Sequence, residues 1–433
     1  MNALTNDIAR WVKRRNLENI PPEWSIMSFG ELVSLSEYGL GGSTGDNGPY
    51  PFLKMNNIDR GRINLKKYDE IFVSDNDLED HYLKKGDFLF NRTNSRELVG
   101  KSCVFNQSEM FFCASYIVRF ILNKKANPEY INYWWQTNLA MDRLQVIATP
   151  GVGQVNINPT SLQRDFFLII PPRCEQDAIV LILDKNGRAI SLIERLLDTK
   201  FEQRKGLMQQ LLSGSKRFPK FVKSNKAQKI KYGDIPLDWD YPQIKNVAID
   251  ISVKNKDGKK LPVLSCTKHY GLVDSLKYFD KQIFSDDISP YKIVSRDQFA
   301  YATNHIEEGS IGYQNIYAAA VISPMYTVFE TNNKVDDTYL YLLLKTEKYR
   351  RIFEANTNAS VDRRGSLRWK DFSSIHIPLP LIDEQKAIAN VFVLADKEIA
   401  LLQKQLDALK EQKKGLMQQL LTGKKRVKVK GVA

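Results

Sequence analysis

The sequence predicts a mixed α/β (α+β) fold in two pseudo-equivalent halves, each a globular segment followed by a long helix. Three observations predict it. Residues 205–214 read KGLMQQLLSG and residues 414–423 read KGLMQQLLTG, one substitution in ten places at an offset of 209. Each copy closes a proline-free stretch whose apolar residues fall on a heptad seam. Between these stretches lie strand-like runs interleaved with short aromatic helix candidates.

Length and composition set the limits. With 433 residues the chain is long enough for two to four domains, and a hydrophobic fraction of 43% allows each a core. Lys and Arg outnumber Asp and Glu by 63 to 50, formally +13, which points to a polyanionic partner such as nucleic acid. No apolar run reaches the length of a membrane span, and the polar start MNALTNDIARWVKRRN has no signal-peptide core, so a cytoplasmic protein is expected. Cys103, Cys113, Cys174 and Cys266 form no CxxC pair, the four histidines give no zinc-ligand spacing, and the cysteines read as buried thiols.

The duplication reaches beyond the helix ends. Glu175-Gln176 matches Glu384-Gln385 after a proline-rich lead-in, and IPPEW (20–24) echoes IPLDW (235–239). Inside the halves, FNRTN (90–94) is set against YATN (301–304), which places Ala302 opposite Arg92. Strands are expected within 51–58, 87–92, 112–122, 165–171 and 321–330, and aromatic helices over 127–144 and 336–353.

The helix seams are Ile190, Ile193, Leu197, Lys200, Arg204, Leu207 and Leu211, then Ile399, Leu402, Leu406, Leu409, Lys413, Leu416 and Leu420. Gly214 and Gly423 stand where helix C-caps belong. Two matched seams predict an antiparallel coiled coil within the chain. Arg204 and Lys413, at equivalent seam positions, are expected to snorkel or to pair with carboxylates. The basic runs 216–231 and 424–430 read either as solvated tails or as extra phosphate contacts.

Catalytic signatures are missing. There is no phosphate loop GxxxxGK[ST], no GxSxG, no HExxH, and the Gly39–Gly45 cluster lacks the dinucleotide-binding register. Two divergent heads on a rigid spacer suit a reader of two different half-sites at a fixed separation.

The EQ helix start, the heptad helix ending KGLMQQLLSGxxR and its copy ending KGLMQQLLTGKKR resemble the conserved regions of type I restriction–modification specificity subunits. The resemblance covers the whole chain. It implies a first target recognition domain over 1–172 with an N-terminal helical arm (1–19), a conserved spacer helix over 173–215 and a basic linker over 216–231. A second target recognition domain over 232–381, a second spacer helix over 382–423 and a basic tail over 424–433 follow. It also implies a non-catalytic DNA-recognition subunit. Its partners would be double-stranded DNA, two modification subunits that use S-adenosylmethionine to methylate adenine, and restriction subunits that use ATP with Mg. No cofactor or metal is expected in this chain itself.

Base readout needs side chains that fork onto base edges from loops. The candidates are Lys54, Asn56, Asn57, Arg92, Asn94, Arg96, Lys101 and Gln154 in the first half. In the second half they are Lys268, His269, Tyr270, Asn304, His305, Arg363 and Arg364. The principal alternative is a stand-alone two-headed DNA-binding regulator. A methyltransferase with a divergent cofactor site and a coiled-coil scaffold are the other rivals.

Overall fold

The computed structural model describes residues 11–13, 20–41, 48–96, 98–151, 153–251, 253–357 and 366–428. Most of the 1–19 arm and of the glycine cluster lies outside the described residues. The chain divides into two compact units, residues 1–194 with 404–433, and residues 195–403. The long helices are therefore not separate domains, since each contributes one portion to each unit.

In the first unit a four-stranded antiparallel sheet runs in the order Val33–Tyr38, Ile117–Leu122, Phe88–Asn91, Ser102–Val104. Successive side chains along each strand point to opposite faces, and both faces are covered. Phe88, Phe90, Val118 and Phe120 enter the main core with Trp134 and Trp135, while Leu89, Cys103 and Ile117 pack with Leu53 and Phe111 on the other side. Across the strands Arg119 is buried between Asp87 (2.7 Å) and Glu37 (3.1 Å).

The second unit repeats this order with Ala248–Asp250, Tyr326–Thr331, Phe299–Ala302 and Ile311–Tyr313. Phe299, Tyr301 and Phe329 form its main core, and Ala300 and Val328 face a smaller cluster.

Several expected elements are shorter than their apolar runs. The run 51–58 is a strand (Tyr50–Leu53), a short 3-10 turn (Met55–Asn57) and the start of a second strand. Each aromatic helix is broken in two, as Pro128–Trp135 with Asn138–Ile147 and Asp337–Leu344 with Glu347–Asn356. The break has a local cause. Thr137 and Thr346 accept from the backbone N–H groups of Ala140 and Tyr349 and so start the second helix in each pair. Tyr130, Trp134 and Trp135 are core residues.

The long helices span Arg173–Leu212 and Ile382–Leu420, 40 and 39 residues, about 60 Å each at 1.5 Å per residue. Within the first unit Glu194 pairs with Lys410 at 2.9 Å, and Gly187 lies against Lys413. Within the second unit Lys200 pairs with Glu398 (2.7 Å) and Arg204 grips both carboxylate oxygens of Asp396 (2.5 and 3.0 Å). Numbers rise along one helix as they fall along the other, so the pairing is antiparallel in each unit. Leu197, Leu211, Leu406 and Leu420 are buried, and Ile190, Ile193, Leu207, Ile399, Leu402, Leu409 and Leu416 are half-buried.

The repeated sequence landmarks meet at the start of each helix. Glu384 accepts from Trp239 Nε1 (3.2 Å) and from Arg217 Nε and Nη2 (2.8 Å each), and Arg217 Nη1 reaches Asp238 at 2.7 Å. In the first unit Glu175 accepts from Trp24 Nε1 (3.0 Å) and from Arg426 (2.8 and 2.9 Å), and Arg426 Nη1 reaches Glu23 at 2.8 Å. The adjacent glutamines bridge backbone. Gln176 donates to Pro171 O and Lys125 O and accepts from Asn127 N, and Gln385 does the same with Pro380, Lys334 and Asp336. Gly214 and Gly423 both take φ of +74°, and a Cβ there would lie 2.5 Å from Pro236 and 2.6 Å from Pro21. Only glycine suits both demands.

These contacts correct the reading of the basic runs as disordered tails and take two arginines out of the set open to phosphate contact. Residues 216–231 hold a 3-10 turn and the strand Ala227–Ile230, paired with Gly233–Pro236. Arg217, only 7% exposed, and Arg426 are spent on carboxylates of their own units. Cys103 and Cys113 are buried thiols, but Cys174 is exposed, and all four cysteines are free. Among the described residues no helix is long and apolar enough to cross a membrane.

Removing one partner of a buried ion pair strands the other. Arg217→Met is expected to cost the second unit about 3–5 kcal/mol. Arg426→Met, whose side chain is 42% exposed, should cost the first unit less. Hydrogen exchange resolved by peptide reads both, and an equal or reversed order would refute the clamp's ranking.

Asp238 is held below the usual carboxylate range first by its hydrogen bond from Arg217. A depressed folded value contributes stability that is present above about pH 4 and lost as pH falls through that value. Asp238→Asn should abolish this acid-dependent increment in urea titrations run from pH 6 down to pH 3.

Candidate nucleic-acid interface

The candidates of the first unit separate into three places. A small sheet orders Thr149–Pro150, Val155–Asn156 and Thr93–Asn94, with Val155 opposite Asn94 and Asn156 opposite Thr93. It brings together Arg92, Asn94 and Gln154, with exposed Arg96 just beyond Asn94. Gln154 is exposed on a turn closed by Gly151 N donating to Gln154 O at 2.7 Å. The Arg92 guanidinium lies 5.2 Å from the Tyr38 ring centre and donates to Asn156 Oδ1 at 3.3 Å. Its Nε is buried with no protein partner. This face carries a fork donor, two amides and a further arginine, the groups that read guanine and adenine edges. Tyr38 and Asn156 were not anticipated. The glycine-flanked turn GVGQVN was the available signal for Asn156.

The remaining candidates are placed elsewhere. Asn57 is buried and structural, donating to Asn64 O (3.0 Å) and Lys67 O (2.6 Å) and accepting from Lys54 N (2.8 Å). That corrects its assignment as a reader. Lys54 is ion-paired with Asp69, and Asn56 is exposed beside it. Lys101 pairs with Asp59 at 3.5 Å and faces a cavity against the helices.

In the second unit Lys268, His269 and Tyr270 form the exposed turn between strands Leu264–Thr267 and Gly271–Asp274. Lys345 Nζ ties this turn to the neighbouring one by donating to Lys268 O (2.6 Å) and Gly309 O (2.8 Å). Tyr270 packs edge-on against exposed Tyr278. Asn304 Oδ1 accepts from Thr303 Oγ1. His305 lies 3.3 Å from Glu308 and, with Glu307, forms a group of three possible metal donors within 4.8 Å. That acidic setting disfavours a phosphate contact at His305. Arg363 and Arg364 lie outside the described residues.

The two halves align one residue away from the sequence reading. Gly86 and Asp297 both have positive φ (+98° and +68°), and their N–H groups donate to Phe105 O and Gln314 O. Arg92 O accepts from Ile157 N as Thr303 O accepts from Leu367 N. Arg92 therefore corresponds to Thr303, not Ala302, and the two Thr-Asn pairs are out of step. Identical letters had outweighed the backbone turn that fixes the register.

Comparison with known proteins decides the family. Residues 21–199 and 236–411 each match the family described as the type I restriction modification DNA specificity domain. The chain belongs to that family. It carries the domain twice, once in each repeat.

A specificity subunit ascribed to the MjaX type I restriction enzyme of Methanocaldococcus jannaschii is 26% identical over 432 residues, covering 96% of this chain and 97% of its own. The specificity subunit of the EcoKI enzyme of Escherichia coli is 24% identical over 205 residues, 46% of this chain and 44% of its own. The fold resembles the S subunit of a type I restriction–modification system from M. genitalium, with a TM-score of 0.54, 15% identity and coverage of 93% of this chain and 97% of that one. As a member of this family the chain is a non-catalytic DNA sequence-recognition subunit of a type I restriction–modification system.

Asn57→Ala is expected to destabilise the first unit by about 2 kcal/mol, because two backbone carbonyls lose their donor. Gln154→Ala, on an exposed turn, should stay within about 0.5 kcal/mol. Urea midpoints with unchanged m-values distinguish the two.

Proposed function

We propose that each unit reads one half of a bipartite, asymmetric DNA site and that the paired helices set the number of unread base pairs between the halves. The observation that carries this reading is the repeated four-stranded sheet, seated by the same Trp–Glu–Arg clamp, beneath different outer loops. Arg92, Asn94 and Gln154 dominate one set, and Lys268, His269 and Tyr270 the other. Identical frames with unlike readers give one asymmetric site rather than a palindrome.

The helices also present apolar side chains to solvent. These are Leu181 and Leu192 in the first unit and Phe201, Leu394 and Leu401 in the second. Partner subunits docked along the helices would cover them. Two modification subunits would hold S-adenosylmethionine and methylate adenine, and restriction subunits would use ATP with Mg. The assembly would work in the cytoplasm, on the chromosome.

The test is co-expression with the neighbouring modification subunit, followed by single-molecule sequencing of host DNA. Expected is N6-methyladenine at one bipartite asymmetric motif that vanishes when this gene is deleted. DNA binding by the isolated chain with no bipartite methylated motif would overturn this reading.

A further inference from the structure

In the second unit the seam cation Arg204 is neutralised by Asp396, which it grips with two hydrogen bonds. The repeat offset of 209 maps Arg204 onto Lys413 and Asp396 onto Gly187. In the first unit the same place therefore holds no carboxylate. A Cβ at Gly187 would lie 2.8 Å from Arg62 Nη2 and 3.9 Å from Lys413 Nζ, so a second cation stands where the acid lies in the other unit. Among the described residues no carboxylate lies within 4.0 Å of either cation. Lys413 is left over the Tyr133 ring at 5.1 Å, and Arg62 donates to Ser191 Oγ at 2.8 Å.

These two cations sit in the wall of a cavity of about 1200 Å³, formed within the first unit by the domain and the helix pair. Seven cations line it against two carboxylates. Both carboxylates are engaged, Asp59 by Lys101 (3.5 Å) and Glu194 by Lys410 (2.9 Å). Arg60, Arg62, Lys66, Lys413 and Lys414 remain. Asp184 and Glu129 are close enough to act on this charge but do not line the cavity, and Asp184 is held by Tyr133 Oη at 2.6 Å. Burial first, and Arg62 next, push the Lys413 ammonium below the usual lysine range. Leu98, Leu139, Met141 and Met417 add apolar surface.

We propose that this cavity is a binding site for a phosphate-bearing anion of nucleotide size, with its phosphates on Arg62 and Lys413. A single carboxylate would balance one charge of the set, whereas a di- or triphosphate matches several, and a guanidinium beside an ammonium is an apt phosphate cradle. Its volume and its mixed apolar and charged lining suit a small molecule.

The test uses the full chain and isothermal titration with ATP and with pyrophosphate at 0.15 M salt. Saturable binding of one ligand per chain is expected, because the second unit has Asp396 in this place. Gly187→Asp, which restores the second unit's pair, and Lys413→Gln, which removes the cation without altering the helix backbone, should each weaken binding at least tenfold with no loss of thermal stability. The absence of saturable binding of either ligand would overturn the proposal, as would unchanged affinity in both variants. Displacement of ATP by duplex DNA, with an equal loss of duplex binding in Gly187→Asp, would also overturn it by assigning these cations to the DNA backbone.

Discussion

The fold depends on a buried carboxylate at the start of each long helix. Glu175 and Glu384 are almost inaccessible, and a charge so placed is tolerated only when strongly paired. Each receives an indole N–H from the beginning of its own domain and a guanidinium from just beyond the end of the opposite helix. Three segments far apart in sequence are therefore fastened at one point. The adjoining glutamine spends its amide on the loop before the aromatic helix, which locks the helix start to the core. That requirement explains why W, EQ and the GxxR endings survive in both halves while the interiors differ. The chemistry of the joint admits few substitutes, and an outer loop admits many.

Much of this architecture was legible in the sequence because it rests on periodicity and repetition. The helix spans follow from the heptad seam, and the duplication from near-verbatim text. In the basic runs, charge counting cannot show that Arg217 and Arg426 are consumed by buried glutamates. The aromatic helices read as continuous in sequence because Thr137 and Thr346 act as caps only once the chain has turned. The site was less legible. Asn57 belongs to the residue type that reads adenine but is used to close a turn, a choice that only the neighbouring carbonyls reveal. Pairing between short strands brought Gln154 beside Asn94 across some sixty residues, and no local pattern announces such a contact.

The two units have also diverged where they meet the helices. Asp396 closes a neutral pair in one, and Gly187 admits a second cation in the other. A duplicated frame thus holds its joints constant and varies charge at positions that the joints do not constrain. Binding surfaces can change in such a protein without disturbing the ion pairs that keep each unit closed.

The clamp has a consequence for the order in which the chain matures. The second unit is contiguous, residues 195–403, so it can close soon after it leaves the ribosome. The first unit begins to emerge earlier but needs Arg426, which follows Glu175 by 251 residues. At about 5–20 residues per second, its buried glutamate waits roughly 10–50 s for its guanidinium. The half made first is therefore the half finished last, and its buried glutamate is paired only after the whole of the second unit has been synthesised.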